Sequence, residues 1–312
     1  AVGTIFVQLT LGMNMFITTQ GFAKTGMLSV LIGAVMNIVL DPLFIFTLDM
    51  GTAGAALATG LSQFISFCIL LWMCNHQDSC ISISIRKFRP KLAIYREVLY
   101  GGIPSLGRQG IASVATILMN FMCQPYGDAA IAAMSIVSRF MFFINSVIIG
   151  FGQGFQPVCS YCFGAGLYDR VKKACWFCIR VSTIILLVLS VISFPAARSI
   201  ITLFRRNDPT VIEIGTLALR LQLITLPLQG AVIMGNMMPQ SIGYGFRATL
   251  VSTARQGIFL IPLLTIMTYT IGLLGIQCAQ PLADIATFIL SLFVIRGIFK
   301  EFPEDASSFA AQ

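Results

Sequence analysis

The sequence predicts an all-α protein that threads a lipid bilayer repeatedly, with its helices in two lobes related by a parallel pseudo-two-fold repeat. Three observations predict it. The composition is 57% hydrophobic and only 10% charged, with a mean hydropathy of +0.88, which leaves too little polar surface to cover a soluble globule. Apolar windows long enough to cross a hydrocarbon core about 30 Å thick recur along nearly the whole chain. One helix–turn–helix pattern also occurs twice, 221 positions apart.

The windows fall at residues 1–20, 25–47, 52–74, 97–122, 129–161, 172–196, 211–239, 247–270 and 272–296, which gives about nine membrane helices. Strands of a membrane barrel would alternate apolar and polar residues over segments of about ten. Stretches such as FISFCILLWM (64–73) show no alternation, so the spans are read as helices. The chain opens inside an apolar segment, AVGTIFVQLTLGMNMF, with no initiating Met, basic flank or cleavage pattern. That opening predicts further helices upstream.

Orientation follows from the basic residues. Alternating the turns places Lys24, then Arg86, Lys87, Arg89, Lys91 and Arg96, then Arg170, Lys172 and Lys173, then Arg247, Arg296 and Lys300 on one side. Arg198, Arg205 and Arg206 fall on the other. The first side is therefore cytoplasmic. The net charge of +8 is accounted for by contact with anionic lipid headgroups, and no nucleic-acid partner is expected.

The repeat consists of an apolar span opened by Lys24 and closed by GTAG (51–54), and a second opened by Arg247 and closed by GLLG (272–275). Six spans separate the copies, so both run the same way through the membrane, the mark of a parallel repeat. The expected domains are a partial first lobe of three helices at 1–74, a cytoplasmic linker at 75–98 and a second lobe of six helices at 99–300. A tail at 301–312 follows.

The runs NIVLDPLFIF (37–46), MGTAGAALATGLSQ (50–63), PYGDAAIAAMSIVSR (125–139), GFGQGFQPVCSYCFGAGLYDRVKKA (150–174) and PQSIGYGFRA (239–248) resemble the multidrug and toxic compound extrusion family, bacterial type. The resemblance covers essentially the whole chain. It implies a MATE-type bundle of twelve helices in two six-helix lobes, of which this chain would supply the fourth to the twelfth. It also implies a first-lobe cation site at Asn37, Asp41 and Thr59, which in family members is shared with a carboxylate on the first helix, outside this sequence.

The residues support that site on their own. Asp41 sits in an apolar run, directly before Pro42, where an ionised carboxylate at mid-helix costs roughly 2.5–3.5 kcal/mol. Asn37 is one helical turn away on the same face. Pro42 has no N–H, so the Ile38 carbonyl loses its helical donor. Across the short turn DMGT (49–52), Thr59 lies at the same depth as Asp41, each roughly 9–10 Å from the turn at 1.5 Å per residue. Gln63 is one turn further in. Carboxylate, amide, hydroxyl and carbonyl oxygens suit a hard cation, or a proton on the carboxylate. The structural alternative is an aspartate reaching the outer interface beside a packing kink.

The second lobe lacks this equipment: at the repeat offset Asp41 corresponds to Pro262 and Asn37 to Ile258. Its polar candidates are Arg108, Gln109 and Arg139, expected to be buried and either to line a cavity or to hold helices together, with Asp284 as a partner for one of them. CSYC (159–162) and CWFC (175–178) have zinc-like spacing, but they lie in or beside apolar helices. There cysteine serves as a small hydrophobe, and no metal site is expected. GFGQG (150–154) lies inside a span and is read as a helix-packing site.

The expected function is a secondary antiporter that exports amphipathic, often cationic, organic compounds in exchange for H+ or Na+, with no cofactor beyond that coupling ion. The expected partners are small-molecule substrates and membrane lipid, and the chain is expected to act as a monomer in the bacterial cell membrane. A flippase for lipid-linked precursors shares the architecture but calls for a richer basic lining. An intramembrane enzyme would need a nucleophile with its base, a metal set or paired carboxylates, and the single histidine, His76, falls in the polar linker.

Overall fold

The structure, a computed structural model, describes residues 2–19, 22–76, 92–205 and 208–302. Most of the expected linker and the tail from residue 303 lie outside them. The helices are α1 (Val2–Thr19), α2 (Ala23–Pro42), α3 (Gly51–His76), α4 (Leu92–Cys123), α5 (Asp128–Gly164), α6 (Tyr168–Phe204), α7 (Pro209–Thr225), α8 (Gln229–Ser241), α9 (Gly245–Thr253), α10 (Leu260–Ile271) and α11 (Leu273–Glu301). No strand occurs among the described residues.

Two spans are interrupted. A 3-10 turn at Leu226–Leu228, containing Pro227, joins α7 to α8, and a π-helical turn at Ala254–Phe259 joins α9 to α10. Among the described residues, seven helical segments are long and apolar enough to cross a membrane. They match the expected spans from 25–47 and 52–74 and the five from residue 129 onward. The two others are also helical, as α1 and α4; the first half of α4 carries Arg96, Glu97, Arg108 and Gln109, which dilute its hydropathy.

Contacts divide the chain into two compact units, Ala1–Leu92 and Ala93–Gln312. In the first, α3 packs against both α1 and α2. The α2–α3 seam is built from small residues. Ser66 Oγ donates to the Ser29 carbonyl at 2.9 Å, and a β-carbon at Gly33 would overlap the Ser66 hydroxyl. In lipid, where apolar side chains gain nothing by leaving the solvent, such close approach and interhelical hydrogen bonding hold helices together. Leu31, Val35, Ile38 and Val39 are exposed on the outer surface of α2, as a lipid-facing stripe requires.

In the second unit, α8 packs against α5, α6, α9 and α11, and its Met234 and Met238 are fully buried. Ser190 donates to the Leu223 carbonyl at 2.6 Å and Ser291 to the Ala231 carbonyl at 3.0 Å, further polar stitches between helices. GFGQG lies within α5, where a β-carbon at Gly152 would run into Met237 of α8.

Both copies of the repeat turn on a glycine, but the first bend is longer: Leu48, Asp49 and Met50 precede Gly51 there and Asp49 also has a positive φ of +50°, whereas Gly272 alone separates α10 from α11. Gly51 and Gly272, at equivalent positions, have φ of +54° and +70°, the left-handed region that glycine occupies without steric cost. Three residues on, the backbone approaches the preceding helix so closely that a β-carbon at Gly54 would lie 2.7 Å from the Phe44 carbonyl oxygen, and one at Gly275 would overlap the Met267 carbonyl. The obstacle is backbone and cannot rotate away. Gly275→Ala is therefore expected to destabilise by about 1–3 kcal/mol, the usual range for overpacking. The check is thermal inactivation of the purified protein in detergent, and a transition at the parental temperature would contradict the close approach.

Candidate functional site

The first unit brings Asn37, Asp41 and Thr59 together. Pro42 closes α2 and a π-helical turn follows at Leu43–Thr47. Proline removes a donor from the helical ladder, and a widened turn is one way a helix absorbs the break. On the last two turns of α2, Asn37 Nδ2 donates to Asp41 Oδ1 at 3.3 Å and reaches Thr59 Oγ1 of α3 at 3.5 Å. Thr59 Oγ1 itself donates to the Ala55 carbonyl at 3.0 Å, so its lone pairs point toward the amide. Asn37 and Asp41 are half-buried and Thr59 is exposed.

The amide N–H thus lies between two oxygens, where a cation would otherwise be attracted. Turning the Asn37 amide by half a rotation replaces that donor with its carbonyl oxygen. Asn37, Asp41 and Thr59 would then offer three side-chain oxygens, with the Ile38 carbonyl, deprived of its donor by Pro42, as a fourth. Gln63 stands apart: its backbone carbonyl accepts from Thr10 Oγ1 of α1 at 3.3 Å, and its side chain makes no hydrogen bond with the other three.

The second unit holds a different constellation, built on a residue expected and three not singled out. Asp284 of α11, 1% exposed, accepts from Arg255 Nε at 2.8 Å and Gln280 Nε2 at 3.3 Å on Oδ1, and from Gln229 Nε2 at 2.8 Å on Oδ2. Its partner is therefore Arg255, in the π-helical turn, and not Gln109 or Arg139. Both of those are exposed, which corrects the expectation that they are buried; the side chain of Arg108 lies outside the described residues. Arg139 instead lines an open recess of about 580 Å³, together with Arg255, Gln229 and Gln280.

Arg255 and Gln229 were missed because depth was counted only within the first hairpin. Asp284 lies twelve residues beyond Gly272 and Arg255 ten beyond Gly245, roughly 18 and 15 Å from opposite ends of their spans. Both fall near the middle of a core about 30 Å thick, so the same reckoning would have paired them. The buried pair is permitted there because carboxylate and guanidinium neutralise each other and the two amides supply further donors to the carboxylate.

The cysteines of the zinc-like pattern sit where α5 and α6 pack. Cys159, Cys175 and Cys178 are buried and Cys162 half-buried. Among the described residues no three His, Cys, Asp or Glu side chains gather in a metal-binding arrangement.

Long apolar helices, small-residue seams and an ion pair between Arg255 and the buried Asp284 within the spans define a multi-pass α-helical membrane protein. Its family follows from residues 104–274, more than half of the chain, which match the family model MatE: the chain belongs to the MatE family. Over 98% of its length it is 27% identical to the multidrug export protein MepA of Staphylococcus haemolyticus (strain JCSC1435), covering 67% of that protein. It is also 27% identical to MepA of Staphylococcus aureus (strain MRSA252), over 93% of this chain and 64% of that one. The chain thus spans about two thirds of the length of these curated relatives.

Among solved structures, an outward-facing multidrug resistance MATE family transporter of the MOP superfamily superposes with a TM-score of 0.89 at 24% identity, covering 97% of this chain and 68% of that one. A MOP superfamily transporter from Pyrococcus furiosus gives 0.82 at 26% identity, over 90% of this chain and 64% of that one. The chain is a multi-pass protein of the bacterial plasma membrane.

Proposed function

We propose that this chain acts in secondary active antiport, exporting amphipathic, often cationic, organic compounds in exchange for inward-moving H+ or Na+. Asn37, Asp41 and Thr59 hold the coupling cation, and the chain works as a monomer among lipids, as a transporter and not an enzyme. The observation that carries the reading is the Asn37 amide bridging Asp41 and Thr59 across the α2–α3 hairpin. It is a polar set within an apolar span, arranged so that one amide rotation converts it into a cage of oxygens. Similarity to multidrug export proteins supports the substrate class.

The physical logic is linkage. A ligand shifts a conformational equilibrium only as far as its affinities for the two states differ, and Asp41, charged or neutralised, is costly or tolerated in lipid accordingly. Filling the site with a cation in one state and emptying it in the other couples the gradient to the transport cycle. The test uses the intact gene product reconstituted in vesicles, with proton and sodium gradients imposed separately and ethidium as the transported cation. Ethidium accumulation is expected under one of the two gradients. Equal movement with and without either gradient would remove antiport from consideration.

A further inference from the structure

Building on the export reading, we infer that the recess of the second unit is a carboxylate subsite, which takes the singly charged acid group of an amphiphilic compound that also carries an N–H or O–H donor. Asp284 is not the receiving group. It is 1% exposed, and both its oxygens are taken by Arg255, Gln280 and Gln229. What it does is fix Arg255. That side chain is held through Nε alone and is 23% exposed, so the edge carrying its two amino groups has no partner among the described residues.

Arg139, on α5, lines the same recess and has no ion-pair partner among the described residues. Two guanidiniums against one carboxylate leave one net positive charge in the recess. An arginine near the middle of a bilayer is unfavourable without a counter-charge, and the planar guanidinium fork matches a carboxylate in shape. A single carboxylate neutralises the excess; a doubly charged phosphate would overshoot it.

The remaining polar atoms specify the second half of the ligand. The NH2 group of Gln229 faces Asp284, because a carboxylate accepts only from a donor, so Oε1 of Gln229 is turned away, and it is buried without a donor. Oδ1 of Asn145 is likewise buried and unpaired, and Asn145 lines the recess. Unsatisfied buried acceptors are costly, and a side-chain rotation that turns either oxygen to the recess would let an N–H or O–H on the ligand relieve it. Met119, Met141, Phe142 and Ile149 supply an apolar wall, with thioethers adaptable to varied shapes. The volume of about 580 Å³ lies within the range of small-molecule sites, roughly 300–1,000 Å³.

The test is equilibrium binding to the purified intact gene product in detergent, read by the fluorescence of dansyl-phenylalanine and of its methyl ester. The acid carries the carboxylate, an N–H and an aromatic body, and the ester lacks the charge while adding one methyl group. The acid is expected to bind at least about tenfold more tightly, as a charge-assisted hydrogen bond is worth roughly 10- to 100-fold. Arg139→Gln is expected to remove that preference, so that the acid binds no more tightly than the ester. Equal binding of acid and ester by the parent protein overturns the inference, as does an undiminished acid preference in Arg139→Gln.

Should that variant not fold, the pair Arg255→Gln with Asp284→Asn removes guanidinium and counter-charge together, and it too is expected to lose the acid preference; retention of the preference overturns the inference. Stronger binding by dihexanoyl-phosphatidylglycerol, a lipid phosphodiester, than by the acid would assign the recess to lipid and overturn the carboxylate reading. No gradient is present in this assay, so a failure of antiport would leave its result standing.

Discussion

Asp41→Asn is expected to reduce gradient-driven export to background while the protein still reaches the membrane in parental amount. The substitution keeps the shape of the side chain and its capacity to pair with Asn37, whose Nδ2 lies 3.3 Å from Asp41 Oδ1. It removes only the ability to carry a charge. If coupling runs through the charge state of this residue, transport loses its drive without losing its scaffold. Asn37→Ala is expected to weaken export less, because it deletes one ligand and leaves the carboxylate beside Thr59. The measurement is efflux of ethidium from energised cells, normalised to membrane expression. Parental efflux by Asp41→Asn would reduce Asp41 to a helix-end aspartate and remove the coupling role proposed for it.

Arg255→Leu is expected to be the most destabilising single change in the second unit. It leaves the Asp284 carboxylate buried with two amide donors and no counter-charge. Breaking a buried ion pair by removing one partner costs roughly 3–5 kcal/mol, and the partial exposure of Arg255, 23%, places the expectation near the lower end, about 3 kcal/mol. Adding Asp284→Leu should restore most of the loss, since replacing both members of a buried pair with apolar groups is often neutral. The comparison of single and double variants by thermal inactivation in detergent decides it. A double variant no more stable than Arg255→Leu would mean that the damage lies in packing and not in the stranded charge.

The helices were readable from the chain because lipid imposes a simple rule: every backbone polar group must be satisfied within its own helix, so length and apolar content nearly suffice. The first site was readable for a related reason. Asn37 and Asp41 are fixed by helical periodicity, and Thr59 by a short turn that sets its depth. The second cluster was harder. Arg255 and Asp284 are 29 positions apart and Gln229 lies 55 before Asp284; Arg255 sits in a π-helical turn and Gln229 directly after a 3-10 turn. Those irregular turns break the regular periodicity on which assigning a helix face depends. The expectation that Gln109 and Arg139 are buried rests on the rule that charged and polar groups in spans must avoid lipid, yet a wall around an open recess meets that requirement equally well for Arg139.

The matched hairpins imply a freedom of a different kind. Each bend is set by backbone alone, by a glycine at Gly51 or Gly272 with positive φ and a second at Gly54 or Gly275 pressed against a carbonyl. Asp49 enters the first bend through its backbone, with φ of +50°, and no ionisable side chain hydrogen-bonds within either bend among the described residues. The hairpin can therefore carry an aspartate at position 41 in one copy and a proline at the corresponding position 262 in the other while each still turns on a glycine. A duplicated scaffold that asks nothing of its polar residues leaves the two halves free to diverge, one carrying the site proposed for the ion and the other the recess proposed for the cargo.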